Sequence, residues 1–125
     1  MEFVKTDKAP KAVGPYSQAV VSGNFVFVSG QIPLDPETGK MVDGDIEEKT
    51  RRVLKNVSAV LESVGLSLKN VVKVTVFVTD LSNFEKVNKV YSEFFGDHKP
   101  ARSFVEVSAL PKGAEIEIEV IAEKG

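Results

Sequence analysis

From Ile46 onward, apolar side chains return at every third or fourth position: Ile46, Val53, Leu54, Val57, Val60, Leu61 and Val64, with Thr50 in the same stripe. Glu47, Arg51, Lys55, Ser58 and Glu62 fill the opposite face. That period is the helical one and predicts an amphipathic helix over roughly 46–64. Asp45 with Glu48 three residues on has the form of a capping box, and Gly65 supplies the left-handed stop that helix C-termini favour. A shorter stripe, Phe84, Val87, Tyr91, Phe94 and Phe95, predicts a second helix, opened by Ser82 with Glu85 and closed by Gly96.

Elsewhere the period falls to two, with β-branched and aromatic enrichment. Strands are expected at Gln18–Ser22, Phe25–Ser29, Val71–Thr79, Arg102–Val107 and Ile116–Ala122, with a short leading strand at Phe3–Lys5. Ser22-Gly23-Asn24 reads as a hairpin turn, and Leu34-Asp35-Pro36-Glu37-Thr38-Gly39 as a loop leading to the first helix. The order β, β, α, β, α, β, β in one domain over 1–125 predicts an α+β fold, a single mixed sheet carrying both helices on one face.

The other face of that sheet is then the informative one. Val72, Val74, Val76 and Val78 alternate with Lys73, Thr75, Phe77 and Thr79, so one face suits a helix layer and the other is mixed. The same period sets Val105 and Val107 opposite Arg102, Phe104 and Glu106, and Ile116, Ile118 and Val120 opposite Glu115, Glu117 and Glu119. Two helices cannot cover both faces. Phe77 and Phe104, expected to point away from the helices, would be exposed in a monomer, which predicts a homo-oligomer packed through this face. The alternative is a solvated face carrying isolated aromatics.

Composition narrows the chemistry. No cysteine is present, which removes disulfides, thiolate metal sites and thiol nucleophiles. The one histidine, His98, falls in the polar stretch Gly96-Asp97-His98-Lys99 and is expected to be a solvated loop residue, so a Ser-His-Asp triad is not supported. No metal-ligand cluster, phosphate-cradling loop or dinucleotide fingerprint occurs, and a cofactor-free reaction, or none, is expected. Net charge is −2, with lysines dispersed among acids, so nucleic acid is not an expected partner. There is neither a signal-peptide pattern at Met1–Lys5 nor an apolar run of membrane-spanning length, and a cytoplasmic protein with no membrane partner is expected.

Arg102, following Lys99-Pro100-Ala101, could present a fixed guanidinium fork to a carboxylate, or form a salt bridge with a glutamate of the last strand. Glu117, central in its acidic series, becomes a proton acceptor if a neighbouring subunit desolvates it; otherwise it is part of a solvated charged edge. Asn88, on the apolar stripe of the second helix, must find amide partners, either a braced loop or a ligand. Gly14-Pro15-Tyr16-Ser17 and Ser29-Gly30-Gln31-Ile32-Pro33 are loop-like segments where glycine permits close approach of a small substrate; each is also an ordinary turn.

Together, Gly14-Pro15-Tyr16-Ser17-Gln18-Ala19, Ser29-Gly30-Gln31-Ile32-Pro33, Val74-Thr75-Val76-Phe77-Val78, Pro100-Ala101-Arg102-Ser103 and Ile116-Glu117-Ile118-Glu119 resemble the RidA (YjgF/YER057c/UK114) family, almost end to end. The resemblance implies a chorismate-mutase-like fold, a homotrimer with clefts between subunits, and cofactor-free hydrolysis of 2-imino or enamine acids (2-iminobutanoate, 2-iminopropanoate) to 2-keto acids and ammonia. It also implies that Arg102 holds the substrate carboxylate and that Glu117 orients or activates water. Tyr16, Ser29, Gly30 and Asn88 match positions lining the family's cleft. Phe104 stands where some members carry cysteine and is expected to shape the substrate-binding cleft. A module that binds small carboxylates without turnover is the main alternative; ribonuclease or translation inhibition, also attributed to the family, suits the acidic charge balance less well.

Overall fold

The computed structural model describes residues 1–125. Its strands are β1 (Glu2–Val4), β2 (Ala19–Ser22), β3 (Phe25–Gln31), β4 (Val71–Val78), β5 (Ala101–Glu106) and β6 (Ile116–Glu123); its helices are α1 (Ile46–Glu62) and α2 (Phe84–Phe95). All six strands form one sheet in the order β1-β2-β3-β6-β4-β5. Every pairing is antiparallel except β4 with β5, so the sheet is mixed, as expected.

α1 begins where the capping pattern places it: the Asp45 carboxylate accepts from the Glu48 backbone N–H, satisfying one of the first-turn donors. α2 begins differently from expectation. Ser82 does not cap it; a 3₁₀ turn, Leu81–Asn83, precedes the helix, and Asp80 caps that turn by accepting from the Ser82 N–H. Asp80 forms the same kind of oxygen cap two residues earlier, a shift that side-chain pattern does not resolve. Gly96 closes α2 with a positive φ of 57°.

Both helices pack on one face of the sheet. Val53, Leu54, Val57, Val60 and Leu61 of α1 and Val87 and Val90 of α2 meet Val74, Val76, Val78, Ile116, Ile118 and Val120, forming a continuous buried cluster. At roughly 25 cal/mol per Å² of apolar surface removed from water, this layer is the main stabilising element. The far face carries Phe3, Phe25, Phe27 and Val105, which are 75%, 41%, 45% and 39% exposed, together with Phe77. Phe77 therefore points away from the helices, as expected. No helix is long and apolar enough to cross a membrane.

Arg102 and Phe104 do not follow the expected facing. In the parallel β4–β5 pair Arg102 lies beside Val74 and Phe104 beside Val76, and these valines are fully buried under the helices. Arg102 and Phe104 thus point to the helix side, while Ser103 and Val105 point outward. Both faces of this edge strand contain apolar side chains, so its alternation was symmetric enough to be read in either sense.

Candidate functional site

Glu117 lies on the open face of β6, beside Phe77 of β4. Along β3 the pairing with β6 slips between Val28 and Gln31, where three steps on β3 span two on β6. This bulge re-aims Ser29 and Gly30. A Cβ added to Gly30 would stand 2.6 Å from Glu117 Oε2 and 2.8 Å from its Cδ, so only glycine lets the carboxyl lie across this backbone. Burial, and secondly the charge of Glu119, push the Glu117 carboxyl above the usual carboxylate range. The solvated-edge alternative for Glu117 therefore does not describe this protomer: the side chain is half-buried even without a neighbouring subunit.

Glu117 opens into a cleft of about 620 Å³ that is also lined by Tyr16, Ser29, Gly30, Ile32 and Lys112. Two buried amides hold its walls. Gln18, 3% exposed, accepts from Thr6 N–H and donates to the carbonyls of Thr6, Ala9 and Pro10, tying down the arm that forms one wall. Asn56, fully buried in α1, donates to the carbonyls of Ile32 and Leu34 on the other side. The Ser29 hydroxyl donates to Ser17 O at 2.6 Å, which leaves its lone pairs for a ligand. Tyr16 is 55% exposed at the rim.

Arg102 occupies a second, smaller cleft of about 280 Å³ between α2 and β5, with Asn88, Tyr91 and His98. Its Nη1 donates to Asn88 Oδ1 at 2.7 Å. No glutamate of β6 pairs with it, and Glu115, just before that strand, is engaged by Lys49. Asn88 therefore braces the guanidinium rather than a loop. Phe104 packs edge to face on Phe84, its ring centroid 4.7 Å away, and its ring centroid lies 5.3 Å from the Arg102 guanidinium carbon. His98 is not a free loop residue either: its Nε2 lies 2.6 Å from the Val71 carbonyl, a contact that requires the proton on Nε2.

One protomer thus brings together Tyr16, Ser29, Gly30 and Glu117, and separately Arg102 and Asn88, with the sheet between the two groups. Gln18, Asn56 and Tyr91 were not identified in the sequence as site-forming. A buried amide leaves no periodic signal: Gln18 precedes β2, and by alternation it falls with Val20 on the face away from the core, where burial is not expected. No group of three His, Asp or Glu side chains is arranged to hold a metal ion.

A six-stranded mixed sheet with two helices on one side and a carboxyl cleft on the other defines the class to which this chain belongs, the YjgF-type fold. A model of the family described as Endoribonuclease L-PSP matches residues 6–124, and the chain belongs to this family, that of the RidA proteins. It is 61% identical over 123 residues to a RutC family protein of Pyrococcus abyssi, covering 98% of this chain and 97% of the relative. It is 44% identical over 122 residues to the human 2-iminobutanoate/2-iminopropanoate deaminase, covering 98% of this chain and 89% of that one. A Thermotoga maritima crystal structure, provisionally described as an endoribonuclease, superposes with a TM-score of 0.98 at 67% identity, covering 100% of this chain and 98% of that one.

Proposed function

We propose that this chain hydrolyses 2-imino and enamine acids, 2-iminobutanoate and 2-iminopropanoate among them, to 2-keto acids and ammonia. The observation that carries the proposal is Arg102: a half-buried guanidinium with an amide and aromatic rings around it and no carboxylate within ion-pair reach. A cation removed from water without a counter-ion is a receptor for an anion, and its planar fork suits a carboxylate bidentately.

The name of the human relative supports the imine class. A protonated imine is already electrophilic and needs a positioned water and a proton acceptor. Glu117 fits that role, because its raised pKa makes the ionised form a stronger base than a solvated glutamate. Water oxygen bonds to the imine carbon as its proton passes to the Glu117 carboxylate. The proton then returns to nitrogen; as the C–N bond breaks, the new hydroxyl gives its own proton to the Glu117 carboxylate, the C=O bond forms and ammonia leaves. General acid–base help of this kind contributes about 10²- to 10⁴-fold. No step calls for a cofactor.

Arg102 and Glu117 project from opposite faces of the sheet, so one substrate can touch both only if a second copy brings its Glu117 cleft against Arg102. We therefore place the site between subunits of a homotrimer, whose packing would also cover Phe3, Phe25 and Phe27. An RNA-cleaving role is weakened by the charge distribution: Lys49, Arg51 and Lys89 are all engaged by glutamates.

The test is release of 2-ketobutyrate from 2-iminobutanoate generated in situ by a threonine dehydratase, with semicarbazide competing for the imine. Acceleration by wild type but not by Arg102→Ala is expected. A folded wild type that gives no acceleration in a validated assay would favour a carboxylate-binding module without turnover.

A further inference from the structure

The Arg102 guanidinium carbon stands 4.8 Å from the ring centroid of Tyr91, 5.3 Å from that of Phe104 and 5.8 Å from that of Phe84. These rings come from β5 and from two turns of α2, so the guanidinium sits in an aromatic collar. Tyr91 is itself backed by Phe95, stacked at 4.4 Å and 24°, and Phe95 is buried. Of the five guanidinium N–H donors, one reaches a protein acceptor, Asn88 Oδ1. Aromatic faces offset the charge electrostatically without consuming the in-plane donors that a carboxylate needs.

We propose that Tyr91 is a positioning residue for the anion site: its ring, wedged between Phe95 and the guanidinium, fixes the plane of Arg102 so that the unused N–H edge faces the bound carboxylate. The proposal rests on Arg102 being that carboxylate's receptor. Within the protomer the hydroxyl adds no hydrogen bond to the fold: Tyr91 Oη is buried and unpartnered. Burial holds the phenol above its ordinary pKa against the opposing charge of Arg102, so at neutral pH no phenolate is available for an ion pair. What remains is the ring face. Tyr91→Phe keeps that face and removes the unpaired hydroxyl; Tyr91→Leu removes the face.

Binding of 2-ketobutyrate to the intact assembly, measured by calorimetry, separates the variants. Tyr91→Phe is expected within about two-fold of wild type, and Tyr91→Leu about ten-fold weaker, in the range of a partly desolvated cation–π contact. The KM for the imine should rise in parallel, with kcat changed much less. Wild-type affinity in Tyr91→Leu, or equal weakening in Tyr91→Phe, would overturn the assignment. Should Tyr91→Leu fail to fold, Phe84→Leu, at a position 38% exposed, removes one wall of the collar and is expected to weaken binding about three-fold; no change would overturn the collar. If wild type binds no keto acid, the receptor role of Arg102 fails, and the collar is judged by NMR of the Arg102 Nε–Hε group. An Nε–Hε signal with restricted motion in wild type and Tyr91→Phe that becomes mobile in Tyr91→Leu (or in Phe84→Leu, where that variant is used) supports positioning. The same signal in all of them refutes it.

Discussion

Gly30→Ala isolates the placement of Glu117 from everything else in the site. The added methyl carbon would lie 2.6, 2.8 and 3.0 Å from Glu117 Oε2, Cδ and Cγ, inside contact distance of three atoms at once, so the carboxyl must move. The backbone need not, since Gly30 is not among the glycines with positive φ. Overpacking in a tight core costs about 1–3 kcal/mol, but here the carboxyl can swing into an open cleft, which puts the cost at the low end. Replacing glycine at a compatible φ returns about 0.4–1 kcal/mol through the unfolded chain. The two effects nearly cancel, and thermal stability should stay close to wild type. Activity should not: misplacement of a reacting group by about 1 Å costs on the order of 10²-fold. Steady-state hydrolysis of 2-iminobutanoate should therefore show kcat/KM down about 10²-fold with unchanged 2-ketobutyrate affinity. Full activity in Gly30→Ala would refute the claim that the Gly30 contact positions the reacting carboxyl.

The raised Glu117 pKa gives two further expectations. The acid limb of the kcat/KM profile should lie above the pH of an ordinary glutamate, and Glu119→Gln should move it downward in part, because burial is the larger cause; an unmoved limb would exclude Glu119 as a contributor. A carboxyl raised by folding contributes stability that is complete below its unfolded pKa and is lost as pH rises through the folded value, so Glu117→Gln should melt no lower than wild type at pH 7, with the advantage vanishing in acid. A Glu117→Gln variant less stable at pH 7 than at pH 4, relative to wild type, would contradict this. Gln18→Ala should cost about 2–4 kcal/mol by stranding the buried carbonyls of the arm, and hydrogen exchange should speed up in residues 6–13 before the rest of the sheet opens.

The two helices were legible because their apolar stripes run uninterrupted and their ends carry oxygen or glycine signals; Asp45, Gly65 and Gly96 act at the ends where they were read, although the Glu48 side chain does not return the capping-box bond to the Asp45 N–H. β6 was legible for the same kind of reason: Ile116, Ile118 and Val120 are uniformly apolar against three glutamates. β5 was not, because Phe104 on one face and Val105 on the other pull the alternation both ways, and only its parallel pairing with β4 decides the side. Glu117 and Arg102 could be singled out by residue type, and their family roles by motif. Their separation across the sheet, the bulge that lays Gly30 over Glu117, and the ring beneath Arg102 all arise from register and tertiary packing, which leave no local pattern to read.

The most direct measurement is complementation between two inactive variants, Arg102→Ala and Glu117→Gln, mixed in equal amounts and allowed to exchange subunits, with exchange verified by native mass spectrometry. If each site takes Arg102 from one copy and Glu117 from the next, random mixing rebuilds about a quarter of the sites from two intact halves, and imine hydrolysis should return to about that fraction of wild type. Mixed oligomers no more active than either parent would contradict a site shared between subunits.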